Sequence, residues 1–282
     1  MTAGVADLTQ VRARLRVTGA DRTAFLHGQC TNDVKRLRAG KSCYAAFLNA
    51  KGKMRGEGHI ICQPDAFLLE TNPGLLPSLE RFIITEDVII EDVSDKLGEW
   101  LVVGRVPSRG DGFAPAEDSE PAMPADAITF SHPLGVGVIS ATPMVATVSA
   151  EDFEILRVEA GVPLWGVDMN ETTIPDEAGL AGRATSYDKG CYVGQETIAR
   201  IKTYGHVNRR LIQCKVDGAE VPDRGAKILA GDKEAGHVTS AVRSPKFGGP
   251  LALAFVRREL AKPGTLVTVD GNQAEVIGLC GS

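Results

Sequence analysis

The chain has 282 residues, enough for two domains at about 150 residues each. Its 43% hydrophobic and 24% charged residues exclude collagen-like, low-complexity and wholly disordered classes. A formal net charge of −5, from 31 Lys plus Arg against 36 Asp plus Glu, excludes the uniformly basic surface of a nucleic-acid coat.

Residues 11–18 alternate Val11, Ala13, Leu15 and Val17 with Arg12, Arg14, Arg16 and Thr18, which predicts a half-buried strand broken at Gly19. The same alternation lacks the basic-then-apolar order of a secretory signal, so a cytoplasmic protein is expected. Asp21 can cap a short helix through Phe25 and Leu26 that ends near Gly28. Strands follow over 44–48, 58–62 and 67–70, the last two joined by the turn Gln63-Pro64-Asp65. Helical spacing covers 75–84, and 88–93 returns to strand. This order lacks the regular alternation of a doubly wound sheet and predicts an α+β fold.

Between 105 and 126 lie four of the 15 prolines with Gly, Ser and acidic residues, the composition of a solvated connector. Gly135-Val136-Gly137 lacks the third glycine of a dinucleotide fingerprint and is expected to be a turn entering a strand. Apolar runs such as 136–139 and 251–256 are far shorter than the roughly 20 residues of a membrane helix.

Ser149 is placed to cap a helix, with Asp152 at the capping-box position and Gly161 closing the end. Glu159 falls on the apolar face of that helix with Ile155 and Leu156, so its carboxylate requires a cationic or hydrogen-bonding partner. From about residue 204 the pattern becomes short strands over 210–216, 226–229, 237–242, 251–256 and 266–269. The hairpin signal Asp270-Gly271 follows them, and together they predict a small antiparallel barrel.

The cysteines at 30, 43, 62, 191, 214 and 280 form no C-x-x-C pair, and His27, His59, His132, His206 and His237 have no metal-binding spacing. Neither a zinc knuckle nor a permanent metal is expected, and most thiols are expected to be buried hydrophobes. Cys191 differs. In Asp188-Lys189-Gly190-Cys191-Tyr192-Val193-Gly194-Gln195-Glu196, two glycines bracket the thiol just before a helix carrying Ile198 and Ile201. A thiolate at a helix start, beside Lys189, is stabilised and reactive. Residues 189–215 carry six Lys or Arg (189, 200, 202, 209, 210 and 215) against Glu196, a local +5 set against −10 elsewhere. Such a segment is either a solvated helix face or a site for an anionic ligand or acidic partner.

The string Lys189-Gly190-Cys191-Tyr192-x-Gly194-Gln195-Glu196 resembles the YgfZ family, relatives of the glycine-cleavage T-protein that include mitochondrial iron–sulfur assembly factors. Residues 25–33, FLHGQCTND, resemble the family's F-L-x-G-Q-x-T-N-D, and 157–161 match its R-x-E-A-G. Residues 236–240, GHVTS, resemble the superfamily's G-x-V-T-S barrel. The resemblance implies a folate-binding α+β module of two interlocked halves over 1–203 and a barrel over 204–282. It implies that Glu159 and Arg183, with Asn32, contact tetrahydrofolate, and that Cys191 with Lys189 as its activator is the working thiol. It further implies an accessory protein for assembly or repair of [4Fe–4S] enzymes, including radical enzymes that modify tRNA, with those enzymes or assembly proteins as partners. A departure bears on transferase chemistry: T-proteins carry an aspartate after the segment matching 48–53, where this chain has Arg55-Gly56-Glu57-Gly58. The longer Glu57 would displace the carboxylate by about a bond length, and about 1 Å of misplacement is costly in catalysis. The alternative is a folate-dependent aminomethyltransferase using Glu57.

Overall fold

The computed structural model describes residues 4–104 and 121–281, so most of the connector over 105–126 lies outside the described residues. The strands, in chain order, are β1 Gly4–Asp7, β2 Ala13–Thr18, β3 Ser42–Leu48, β4 Met54–Cys62, β5 Phe67–Thr71, β6 Ile89–Asp92, β7 Gly98–Val103, β8 Ile128–His132 and β9 Gly135–Ser140, then β10 Arg209–Val216, β11 Lys227–Ala230, β12 Lys233–Ser244, β13 Gly249–Arg257, β14 Leu266–Val269 and β15 Asn272–Leu279. The helices are α1 Arg22–Gln29, α2 Leu75–Glu80, α3 Ala150–Glu159, α4 Ala181–Ala184 and α5 Gln195–Tyr204.

The chain divides into two compact units that are not consecutive in sequence. The first comprises Met1–Phe47, Arg55–Phe153 and Asp188–Val193, and the second Leu48–Met54, Glu154–Tyr187 and Gly194–Ser282. This division differs from a single break at 203/204, because the unit that holds the barrel also takes in α4 and most of α3.

In the first unit a five-stranded sheet runs in the order β3-β4-β5-β2-β6, and a four-stranded antiparallel sheet in the order β1-β7-β9-β8. Alternation along β4 and β5 sends Ile60 and Leu69 toward Phe25 and Leu26 of α1 and Leu75 and Leu79 of α2. Their neighbours Ile61 and Leu68 pack on the other face against Phe130 of β8 and Ile139 of β9. The central strand β5, covered on both faces, is buried along its whole length, which is why it reads as an unbroken apolar run before its last residues.

In the second unit β10-β13-β12-β11-β14-β15 closes into a six-stranded barrel filled by Ile212, Val238, Ala254, Val267 and Val276. Closure leaves no sheet edge unpaired. The β14–β15 hairpin turns at Asp270 (φ +46°) and Gly271 (φ +82°), the two left-handed residues of a type I′ turn. Val158 of α3 packs against Leu211, Leu253 and Phe255 on the barrel's outer face.

Several element boundaries differ from expectation, β4 starting at Met54 and β12 at Lys233 among them, and two of the differences have a clear local cause. β2 starts at Ala13 because residues 8–12 form a turn in which Val11 and Arg12 donate their backbone N–H groups to Leu8 O. α2 ends at Glu80, after which Phe82 and Ile83 make only i−3 backbone bonds and Ile84 is exposed. Ser149 caps α3 as expected: its hydroxyl accepts from Asp152 N (3.0 Å) and donates to the Asp152 carboxylate (2.7 Å). The capping carboxyl of α1 does other work, since the Asp21 side chain accepts from Asp87 N (2.8 Å) and makes no hydrogen bond to its own helix.

Candidate functional site

Helix α1 ends at Gln29, leaving its last carbonyls without intrahelical partners and at the negative end of the helix dipole. The segment Asp188–Val193 lies against this terminus. The Lys189 ammonium donates to the carbonyls of His27 (2.5 Å), Cys30 (2.7 Å) and Asn32 (2.8 Å), and Val193 N donates to Gly28 O (3.0 Å). Lys189 is buried, with the Tyr192 ring 4.9 Å from its nitrogen. Burial lowers its pKa, and three carbonyl acceptors supply the solvation that water no longer gives. Lys189 was expected to activate Cys191. Its three hydrogen bonds go to the carbonyl of His27 in the last turn of α1 and to those of Cys30 and Asn32 just past it, and they fix the loop that carries the thiol.

Cys191 is the exposed cysteine among the described residues, while Cys30, Cys214 and Cys280 are buried and Cys43 and Cys62 half-buried. Burial pushes the thiols of Cys30 and Cys280 up, and those of Cys43 and Cys214 up to about 12, so these four stay protonated and inert at neutral pH.

The two bracketing glycines are unequal. Gly194 has φ +82°, and a β-carbon there would stand 2.5 Å from Asn49 O, so only glycine fits at the start of α5. At Gly190 a β-carbon would meet only His27 Nε2, at 3.9 Å, so neither conformation nor packing demands glycine. On α5, Glu196 is exposed and paired with Arg200 (2.7 Å), and Gln195 is half-buried.

Asn32 is committed to its own loop: its Nδ2 donates to Tyr44 O (2.8 Å) and its Oδ1 accepts from Asp33 N (2.8 Å). In the second unit, Glu159 finds the partner its position on α3 requires, but not an arginine. Its Oε1 accepts from the Ser244 hydroxyl and from Lys246 N (3.0 Å), while Oε2 has no hydrogen-bond partner among the described residues. One oxygen rather than two is thus open to a ligand. Arg183 is half-buried on α4, in a stretch where Asp176 Oδ2 and Thr185 Oγ1 are buried without hydrogen-bond partners among the described residues. Buried polar atoms left this way are uncommon in a finished core and fit a polar ligand.

The basic run of 189–215 is not a free patch. Arg200 is paired with Glu196, Lys202 lies over the Tyr187 ring (3.7 Å), Arg209 is paired with Glu177 (3.0 Å) and Arg210 reaches Asp176 O (3.5 Å). Lys189 is buried, while Arg200, Lys202 and Lys215 are exposed and of these only Lys215 has no partner among the described residues, so the solvated-face reading is the better description.

Sequence reasoning missed a layer of charge inside the first unit. The nine-tenths buried Arg12 binds Glu57 through Nη1 (2.6 Å) and Nη2 (3.4 Å) and also binds Glu70 through Nε. His59 Nδ1 lies 2.7 Å from Glu70 Oε2, and the wholly buried Arg14 donates to the carbonyls of Thr9, Arg12, Ser94 and Leu97. Although burial acts the other way, Arg12 and His59 hold the Glu70 carboxyl below the usual range. Glu57 is therefore a structural partner of Arg12, only 4% exposed, and not an open acid–base group. The strand register places this layer on one face, since Arg14, Glu57, His59 and Glu70 all point one way from their strands and Arg12 lies in the turn just before β2.

Residues 209–277 match the glycine cleavage T-protein C-terminal barrel domain. The fold as a whole superposes on aminomethyltransferase T of the glycine cleavage system from Bartonella henselae, with a TM-score of 0.79 at 20% identity, covering 98% of this chain and 85% of that one. The chain carries a T-protein C-terminal barrel on a GcvT-like fold. Among its relatives, a chloroplastic protein of Arabidopsis thaliana named as a transferase is 27% identical over 94% of this chain and 68% of its own length. An uncharacterized protein of Haemophilus influenzae is 27% identical over 83% of each chain. An aminomethyltransferase of a Nostoc species is 38% identical, over 42% of this chain and 31% of its own length. The GcvT-like architecture bears out the expected α+β module with a terminal antiparallel barrel. No helix among the described residues is long and apolar enough to cross a membrane.

Proposed function

We propose that this GcvT-like protein is a cytoplasmic, tetrahydrofolate-binding accessory factor for assembly or repair of [4Fe–4S] enzymes, including those that modify tRNA, and that Cys191 is its working thiol. The observation that carries the reading is the contrast between Cys191, exposed on a loop fixed by Lys189, and the other thiols, which are buried or half-buried. In a strain lacking the protein, Cys191→Ala is expected to fail to restore iron–sulfur enzyme activity. Full restoration by Cys191→Ala would overturn the thiol role.

Tetrahydrofolate, when bound, would supply a carrier of one-carbon units. Glu159, through Oε2, and Arg183 are the residues that would hold it, and the unsatisfied Asp176 and Thr185 atoms suit the amide and amine groups of a pterin. Asn32 is a weaker candidate because its side-chain amide is engaged with Tyr44 and Asp33. Calorimetric titration with tetrahydrofolate is expected to show binding that Glu159→Ala weakens, and absence of binding in the wild type would remove the folate role.

A second reading, an aminomethyltransferase, is favoured by the 38% identity to the Nostoc aminomethyltransferase. Against it stands the clamp on Glu57. Turnover of an aminomethyl donor by the wild type, abolished in Glu57→Gln, would restore that reading.

A further inference from the structure

The second unit carries a polar cleft of about 270 Å³, formed where β12 and β13 meet the segment 167–173, the start of β10 and the turn at 224–225. None of the residues assigned above to folate or to the thiol lines it. Its volume falls just below the roughly 300–1,000 Å³ of sites for drug-sized molecules, which suits a small ligand.

Two guanidiniums on its wall are each anchored by one nitrogen. Arg209 Nη2 donates to Glu177 Oε2 (3.0 Å) and reaches Thr172 O (3.5 Å), and the group lies over the Phe255 ring, 4.4 Å from its centre. Arg224 Nη2 donates to the carbonyls of Gly166 (3.0 Å) and Val167 (2.8 Å). In both arginines Nε and Nη1 have no hydrogen-bond partner among the described residues. A fork anchored in this way has given up its rotamer freedom before any ligand arrives, so little entropy is left to lose on binding. His237 of β12 is the third polar group, and neither of its ring nitrogens has a hydrogen-bond partner among the described residues. Burial and then the Arg209 charge lower its pKa, with Glu234 opposing, so the ring is neutral at neutral pH and has one N–H to donate.

Asp168, the acidic residue of this wall among the described residues, is already spent. Its Oδ2 accepts from Arg157 Nη1 (2.6 Å) and Leu164 N (2.9 Å), and its Oδ1 from the hydroxyls of Thr239 (2.5 Å) and Ser240 (2.7 Å). It does not compete for the free edges of the two arginines. Glu177 offsets part of the Arg209 charge from outside the wall, so selection must come from geometry rather than from net charge. The donors come from three separate segments. A planar carboxylate matches one fork, whereas a tetrahedral phosphate presents oxygens in several directions at once.

We propose that this cleft binds a phosphate group, as the free ion or as a small monoester, between the free edges of Arg209 and Arg224 and the His237 N–H.

The test is titration of the full-length protein with inorganic phosphate at fixed pH and ionic strength, following the His237 ring by NMR and assigning it by its loss in His237→Gln. A saturable shift with a Kd at or below about 1 mM is expected, and acetate at matched ionic strength is expected to cause none. Arg224→Gln, at an exposed position, and Arg209→Lys, which keeps the charge without the fork, are each expected to weaken binding at least about tenfold. Glycerol 3-phosphate titrated in parallel separates the two sources: tighter binding than phosphate assigns the monoester, weaker binding the free ion, and either upholds the site. A shift that rises linearly with phosphate, or equally with acetate, overturns the proposal, as does wild-type affinity in both folded variants. Equal binding of a glutamate-rich peptide would make the cleft a general acidic-partner surface and overturns it too. Folate binding and cellular rescue are read on Glu159 and Cys191, so their failure leaves this site standing.

Discussion

Arg12 and Lys189 are both buried cations of the first unit, and they are neutralised by different groups. Arg12 is held by the carboxylates of Glu57 and Glu70, Lys189 by the backbone carbonyls of His27, Cys30 and Asn32. The consequence for chemistry is opposite in the two places. A carboxylate locked on a guanidinium is withdrawn from acid–base work, whereas a carbonyl cap uses no reactive side chain and leaves the neighbouring thiol exposed. Arg14, bonded to four carbonyls, shows that the first unit uses the second device twice.

Breaking the first arrangement should have the largest effect. Arg12→Ala strands two buried carboxylates, and a loss of about 3–5 kcal/mol in unfolding free energy is expected by urea denaturation. A loss under about 1 kcal/mol would mean that the carboxylates find other partners or take up protons at little cost.

Lys189→Met keeps the apolar stem and removes the cap. A loss of about 1.5–3 kcal/mol is expected, the range for hydrogen bonds to a charged group. The comparison is sharpened if Lys189→Met lowers stability less than Arg12→Ala does, because orphaned carbonyls can recruit water more cheaply than orphaned carboxylates can.

The smallest change concerns Glu99, which lies beside the Arg12 layer with Oε2 unpartnered among the described residues. Burial and then the charge of Glu70 push its carboxyl up. The folded protein therefore keeps a proton that the unfolded chain releases above about pH 4.3, so this group's contribution to stability is present below that pH and lost as pH rises toward the folded-state value. Glu99→Gln should leave stability near wild type in mild acid and gain on it as pH increases, read as diverging Tm–pH curves. Parallel curves would show that Glu99 is ionised in the folded state.

Much of the candidate site was legible because local chemistry dictates it. The loop at 188–196 was identifiable from Gly190, Cys191 and Gly194, although only Gly194 proves to be sterically required. What Lys189 does was not legible, since its acceptors lie 157 to 162 residues away along the chain. His27 was set aside as a histidine without metal spacing, a correct description that missed its place against Gly190. Glu159 was expected to need a partner, and the partners are Ser244 at the end of β12 and Lys246 N in the loop that follows. The charged layer escaped notice because the alternation in 11–18 assigns Arg12 and Arg14 to the solvent face, which holds only where nothing covers that face. Here a second sheet covers it.

By itself the sequence determined the barrel strands, the capped helix α3 and the exceptional thiol. Turns, caps and alternation are properties of residues close in the chain, and the physics that sets them is local. The tertiary structure decided which charges are spent on one another and which remain available. Arg12 consumes Glu57, Glu196 pairs with Arg200, and Lys189 serves a helix end rather than its neighbouring cysteine. A charged group's chemistry depends on what replaces water around it, and for Lys189 those groups are supplied by residues 27–32, far from it in sequence.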